Sequence, residues 1–115
     1  EKHGAQEKNI QVIEVPGSFE LISGADLVFR NQNFDAVICL GCVIQGETRH
    51  FDFICDAVAN GIANVGLKYN KPAIFGVLTT DNLQQALDRA GGKHGNKGEE
   101  AAITAIQMAH IAKKF

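Results

Sequence analysis

The sequence predicts an α/β domain in which a parallel sheet is covered by helices on both faces. Three observations predict it. Apolar runs alternate with amphipathic stretches in the order β-α-β-α-β-α-α, the pattern of helical crossovers between parallel strands. Residues 35–44, Asp-Ala-Val-Ile-Cys-Leu-Gly-Cys-Val-Ile, are almost continuously apolar, as a strand buried on both faces would be. Polar loops follow the strands, and in such sheets the loops at the carboxyl ends form the ligand crevice.

The elements follow in order. Residues 10–15 (Ile-Gln-Val-Ile-Glu-Val) are β-branched and stop at Pro16-Gly17, so they predict a first strand closed by a turn. Ser18 is placed to cap the next segment, where Leu21 or Ile22, Ala25 and Val28 or Phe29 recur at helical spacing. Asn31-Gln32-Asn33 ends that helix, and the apolar run 35–44 is the second strand. After Gln45-Gly46-Glu47-Thr48, a long helix carries Phe51, Ile54, Val58, Ile62, Val65 and Tyr69 on one side. Pro72 opens a third strand over residues 73–78, and Thr79-Thr80-Asp81 supplies cap-type residues for a short helix over residues 83–90. Residues 91–98 read as a glycine-rich loop, and residues 99–113 as an alanine-rich helix. Three strands are few for this architecture and the chain starts abruptly, so an N-terminal element is expected to be missing. Residues 1–115 are otherwise expected to form a single domain.

Composition narrows the function classes. The chain has 115 residues, 45% hydrophobic and 21% charged, with 11 Lys and Arg against 13 Asp and Glu, a net charge of -2. That balance offers no positive surplus to a nucleic-acid backbone or an anionic membrane. Its apolar runs fall short of the roughly 18–20 residues of a membrane span. The polar residues 1–10 do not read as a secretory signal. Three cysteines, an odd number, make no disulfide framework, and a reducing cytoplasm is the expected location.

Several residues could carry chemistry, and each has a plainer reading. Cys39-Leu40-Gly41-Cys42 spells C-x-x-C, but on a strand positions i and i+3 face opposite ways about 10 Å apart. A disulfide needs Cα atoms within about 7 Å, so Cys39 is expected in the core, while Cys42 could line a pocket. Gly41 and Gly46 are spaced as in a P-loop, yet Glu47-Thr48 stands where Lys-Ser/Thr is required. What survives is a glycine loop feeding a helix N-terminus, suited to a single phosphate or merely a turn. His50 lies in the first turn of the long helix between Arg49 and Asp52. It could move protons near neutral pH, or be an exposed helix-start histidine. Glu20 sits near a helix start, where a carboxylate also serves the helix dipole. Arg89, Lys93 and Lys97 are either a solvated basic edge or anion ligands.

Four stretches stand out in order: Val15-Pro16-Gly17-Ser18-Phe19-Glu20, the run from Gly41 through Gln45-Gly46-Glu47-Thr48-Arg49-His50 to Asp52, Phe75-Gly76-Val77-Leu78-Thr79-Thr80, and the run from Gln85 through Arg89-Ala90-Gly91-Gly92 to Gly98. Together they resemble the 6,7-dimethyl-8-ribityllumazine synthase family of riboflavin biosynthesis. The resemblance covers nearly everything from Val12 to Met108. It implies a flavodoxin-like three-layer α/β/α sandwich with a four-stranded parallel sheet, of which three strands are visible here. It implies condensation of 5-amino-6-(D-ribitylamino)uracil with 3,4-dihydroxy-2-butanone 4-phosphate, without metal or organic cofactor.

By the same resemblance Ser18, Phe19, Glu20, Cys42, Val43 and Ile44 would hold the ribitylaminouracil, with Phe75 reaching it from a neighbouring subunit. Glu47, Thr48, Arg89 and Lys97 would hold the phosphate, and His50 would transfer protons. The implied assembly is a pentamer, decamer or sixty-subunit shell with sites shared between subunits, and riboflavin synthase is an implied partner. The missing N-terminal strand and helix would leave strand edges unpaired. The rival readings are a flavodoxin-like module that binds a phosphorylated ligand without turning it over, and a purely structural shell subunit.

Overall fold

A computed structural model describes residues 4–46, 50–92 and 95–115 of the chain. Among these, β1 (Val37–Ile44) and β2 (Ala73–Thr80) pair in parallel, from Val37 opposite Ala73 to Ile44 opposite Thr80. The helices are α1 (Leu21–Asn31), α2 (His50–Tyr69), α3 (Leu83–Arg89) and α4 (Lys97–Ala112). Helix α2 is the crossover between the two strands.

The alternation of side chains along the strands divides the core into two layers. On one face Cys39 and Val77 meet Ala25 and Phe29 of α1 and Val58, Ile62 and Val65 of α2. Val58 and Ile62 are fully enclosed, each a burial worth about 1.5–3 kcal/mol. On the other face Ala101 and Ala105 of α4 pack on Ile74. The close approach there depends on Gly76, where a Cβ would stand 2.7 Å from Leu40 Cδ2, 3.1 Å from the Cys39 carbonyl oxygen and 3.2 Å from Ala101 Cβ. Helices therefore pack on both faces of the sheet, as the sequence predicts, although one face of β1 stays open.

Helix α1 is pinned to α2 by one carboxylate. Asp26 Oδ1 accepts hydrogen bonds from Lys68 Nζ at 2.9 Å and Tyr69 Oη at 3.0 Å, and Arg30 lies 4.0 Å from Oδ2. Those donors hold the Asp26 carboxyl below its ordinary range.

Four expectations need correction. Residues 10–15 form no strand. A strand is made by its ladder, and this segment has no ladder partner among the described residues. Val15 leans on Gly24 of α1, while Val12 is 84% exposed. A 740 Å³ groove separates the segment from residues 36–41. Second, β1 is not buried on both faces: Cys39 is buried, but Leu40 is 58% exposed and Ile38 and Ile44 are also open. Helix α4 packs mainly across β2, leaving that face of β1 uncovered. Third, Ser18 does not cap α1 through its side chain. It opens a 3₁₀ turn, Ser18–Glu20, whose Ser18 carbonyl accepts the Leu21 N–H, and Glu20 is the cap position of α1. Fourth, the glycine-rich stretch contains antiparallel β3 (Ala90–Gly92) and β4 (Gly95–Asn96). Asn96 then caps α4 by accepting the Glu99 N–H at 3.1 Å, so that helix starts at Lys97.

Candidate active site

The described candidate residues fall into two groups. The first gathers around the carboxyl-terminal half of β1. The turn Ser18–Glu20 contacts β1 because residue 41 carries no side chain: a Cβ on Gly41 would stand 2.9 Å from Ser18 Oγ and 3.2 Å from Leu21 Cδ1. Ser18 is thereby held against β1 at Gly41. Glu20 folds back so that its Oε1 would lie 2.9 Å from a Cβ on Gly17, and its N–H donates to the Gly17 carbonyl at 3.1 Å. Phe19 projects outward, 51% exposed.

Along β1, Val43 packs against the α1–α2 core while Cys42 and Ile44 are exposed. Adjacent residues on a strand point to opposite faces, so only the strand's backbone is common to Cys42, Val43 and Ile44 as a surface for one ligand. The ends of β1 and β2 are tied by Gln45 N–H donating to Thr80 O at 2.8 Å. Thr80 is buried and donates to the Asn82 carbonyl at 3.1 Å. Asn82, rather than the residues before it, caps α3 by accepting the Gln85 N–H at 2.9 Å. His50 follows at the start of α2, its side chain exposed. Glu47 and Thr48, expected phosphate ligands, lie outside the described residues, as do Arg49, Lys93 and His94.

The second group lies on the flank of β2. Phe75, half-buried opposite Cys39 in the register, lines a 760 Å³ groove together with Lys97 and Glu100. Arg89, at the end of α3, reaches the same place: its Nη2 lies 3.8 Å from Glu100 Oε1. Within one chain Phe75 is two residues from Val77, the register partner of Gly41 on which the Ser18–Glu20 turn rests, and it packs against the same core cluster as Leu21. One chain therefore places Phe75 and Lys97 along one groove and Ser18 and Gly41 along another.

The cysteines settle the C-x-x-C pattern. Cys39, Cys42 and Cys55 are all free, and burial pushes the Cys39 thiol up to about 11. Burial, with Asp52 and Asp56 nearby, also raises Cys55. Among the described residues no three His, Cys, Asp or Glu side chains are grouped to hold a metal ion. Glu100 is the residue that the sequence motifs do not single out, and the signal that could have flagged it is its i, i+3 spacing from Lys97.

Comparison with known proteins agrees with the motifs. The family model described as 6,7-dimethyl-8-ribityllumazine synthase matches residues 1–113. A protein of that name from Cytophaga hutchinsonii is 68% identical over 107 residues, 93% of this chain and 67% of that protein. Namesakes from Parabacteroides distasonis and Bacteroides fragilis are each 54% identical, over 97% and 93% of this chain and 70% and 75% of those proteins.

Proposed function

The chain belongs to the 6,7-dimethyl-8-ribityllumazine synthase family, and on that premise we propose how its residues divide the reaction. The enzyme is a transferase of riboflavin biosynthesis. It condenses 5-amino-6-(D-ribitylamino)uracil with 3,4-dihydroxy-2-butanone 4-phosphate and releases inorganic phosphate and water. The amine first adds to the ketone to form an imine, phosphate is then eliminated, and the second amine closes the ring. Each step moves protons, and none requires an electron acceptor.

The ribitylaminouracil lies along the carboxyl-terminal half of β1, held by Ser18, Phe19 and Glu20 and by the strand at Cys42, Val43 and Ile44. His50 gives and takes the protons, a role worth roughly 10²–10⁴-fold. Arg89 and Lys97 hold the phosphate, with Glu47 and Thr48, and their fixed charge keeps the ketone beside the amine. Phe75 covers the pyrimidine from a neighbouring copy. The family is oligomeric, and a closed ring of five copies, as a pentamer, decamer or sixty-subunit shell, supplies that neighbour. Residues 1–115 act as one domain, with riboflavin synthase as a partner. Free cysteines suit a cytoplasmic location, and no helix among the described residues is long and apolar enough to cross a membrane.

The observation that carries this reading is that Ser18 lines one groove while Phe75 and the cationic Lys97 line another. Mixing copies tests it. His50→Ala and Arg89→Ala chains, each nearly inactive alone, are co-assembled and assayed by lumazine fluorescence. If each site takes His50 from one copy and Arg89 from the next, about a quarter of the sites in a random 1:1 mixture are intact. A mixture no more active than its components refutes the shared site.

A further inference from the structure

The Arg89–Glu100 pair has two features that a simple surface ion pair does not explain. Its 3.8 Å separation exceeds the roughly 2.7–2.9 Å of a charge-assisted hydrogen bond, so Glu100 balances the guanidinium charge without clasping it. Meanwhile Arg89 Nε is buried and has no hydrogen-bond partner among the described residues, although buried donors are normally paired. The arginine is thus parked, with its inner donor unused.

We infer that Glu100 is a displaceable counter-ion, a positioning residue that holds Arg89 against α4 while the phosphate site is empty and yields it to the phosphate. This rests on the assignment of Arg89 to the phosphate. A phosphate can engage a guanidinium through two donors at once, which would give Nε its partner as the side chain turns outward. It also brings about twice the charge of a carboxylate. The displaced carboxylate has a stable alternative: it stands in the first turn of α4, where the helix N-terminus favours an anion, three residues from Lys97. When the reaction liberates phosphate, Glu100 competes again for Arg89 and promotes its release.

Calorimetric titration of inorganic phosphate into the assembled enzyme tests this. Glu100→Gln removes the competitor and keeps the shape, so phosphate binds about tenfold more tightly. Glu100→Asp keeps the charge at the helix start but draws it back from Arg89, and it tightens binding by a smaller factor. Arg89→Ala weakens phosphate binding and makes the Glu100 substitution silent in the double variant. A purely structural role for Glu100 would lower the melting temperature without tightening phosphate. Unchanged or weaker binding in both Glu100 variants, with Arg89→Ala still harmful, overturns the counter-ion and leaves the assignment of Arg89 standing. Unchanged binding in Arg89→Ala overturns the assignment and the counter-ion with it.

Discussion

The strand-end group and the β2 flank are built on opposite principles. At the strand end, position is set by backbone: a 3₁₀ turn rests on a strand because Gly41 leaves room, and the strand presents its own polar groups. On the flank, position is set by charge, with Arg89, Lys97 and Glu100 meeting at the junction of α3 and α4. The first arrangement suits a flat, neutral, hydrogen-bonding heterocycle. The second suits a phosphate, which binds through charge-assisted bonds that side chains can supply and retract. On the proposed division of roles, two dissimilar substrates meet two dissimilar surfaces.

The sharpest way to break this comparison is at Arg89. Arg89→Ala removes two charge-assisted contacts of about 1.5–3 kcal/mol each, so kcat/KM for the butanone phosphate falls about 10³-fold. Affinity for the pyrimidine stays unchanged. Steady-state kinetics with each substrate varied in turn check it, and equal losses for both substrates would merge the two groups into one. His50→Ala has a smaller effect, about 10²-fold on kcat with little change in either KM, because alignment of the substrates persists.

The smallest effect concerns what holds the strand-end group in place. Asp26 joins α1, which follows the Ser18–Glu20 turn, to α2, which starts at His50. Its carboxyl lies below the ordinary 3.8 in the folded protein, chiefly because Lys68 and Tyr69 donate to it. A group whose folded pKa is depressed stabilises above its unfolded pKa, and that stability is lost as pH falls through the folded value. Thermal melts from neutral pH into acid should therefore drop more steeply below about pH 4 for the wild type than for Asp26→Asn. Parallel curves would show that Asp26 does not couple the helices.

Much of the fold was legible because it is local. The 3.6-residue spacing of Ile54, Val58, Ile62 and Val65 required a helix with one buried side, and Val58, Ile62 and Val65 are buried on it. The apolar stretch ending at Ile44 required a strand. Residues 10–15 looked equally strand-like, yet β-branched composition expresses only a preference, and the pairing that realises it is non-local. The same limit applied to capping: Ser18 and Asn82 are both cap-type residues, and only the path of the chain decided that Asn82 closes a helix start while Ser18 opens a turn.

By itself, the order of residues determined the layered α/β architecture, the buried faces of α1 and α2 and the family motifs, since all are written in neighbours a few positions apart. Helix α4, by contrast, buries Ala101 and Ala105 rather than the Ala102, Ile106 and Ala109 that its spacing suggested. Tertiary structure alone decided that Arg89 faces Glu100, that Phe75 shares a groove with Lys97, and that the strand-end turn rests on Gly41. Such contacts join residues distant in the chain, and their existence depends on how strands and helices pack, which no local spacing encodes.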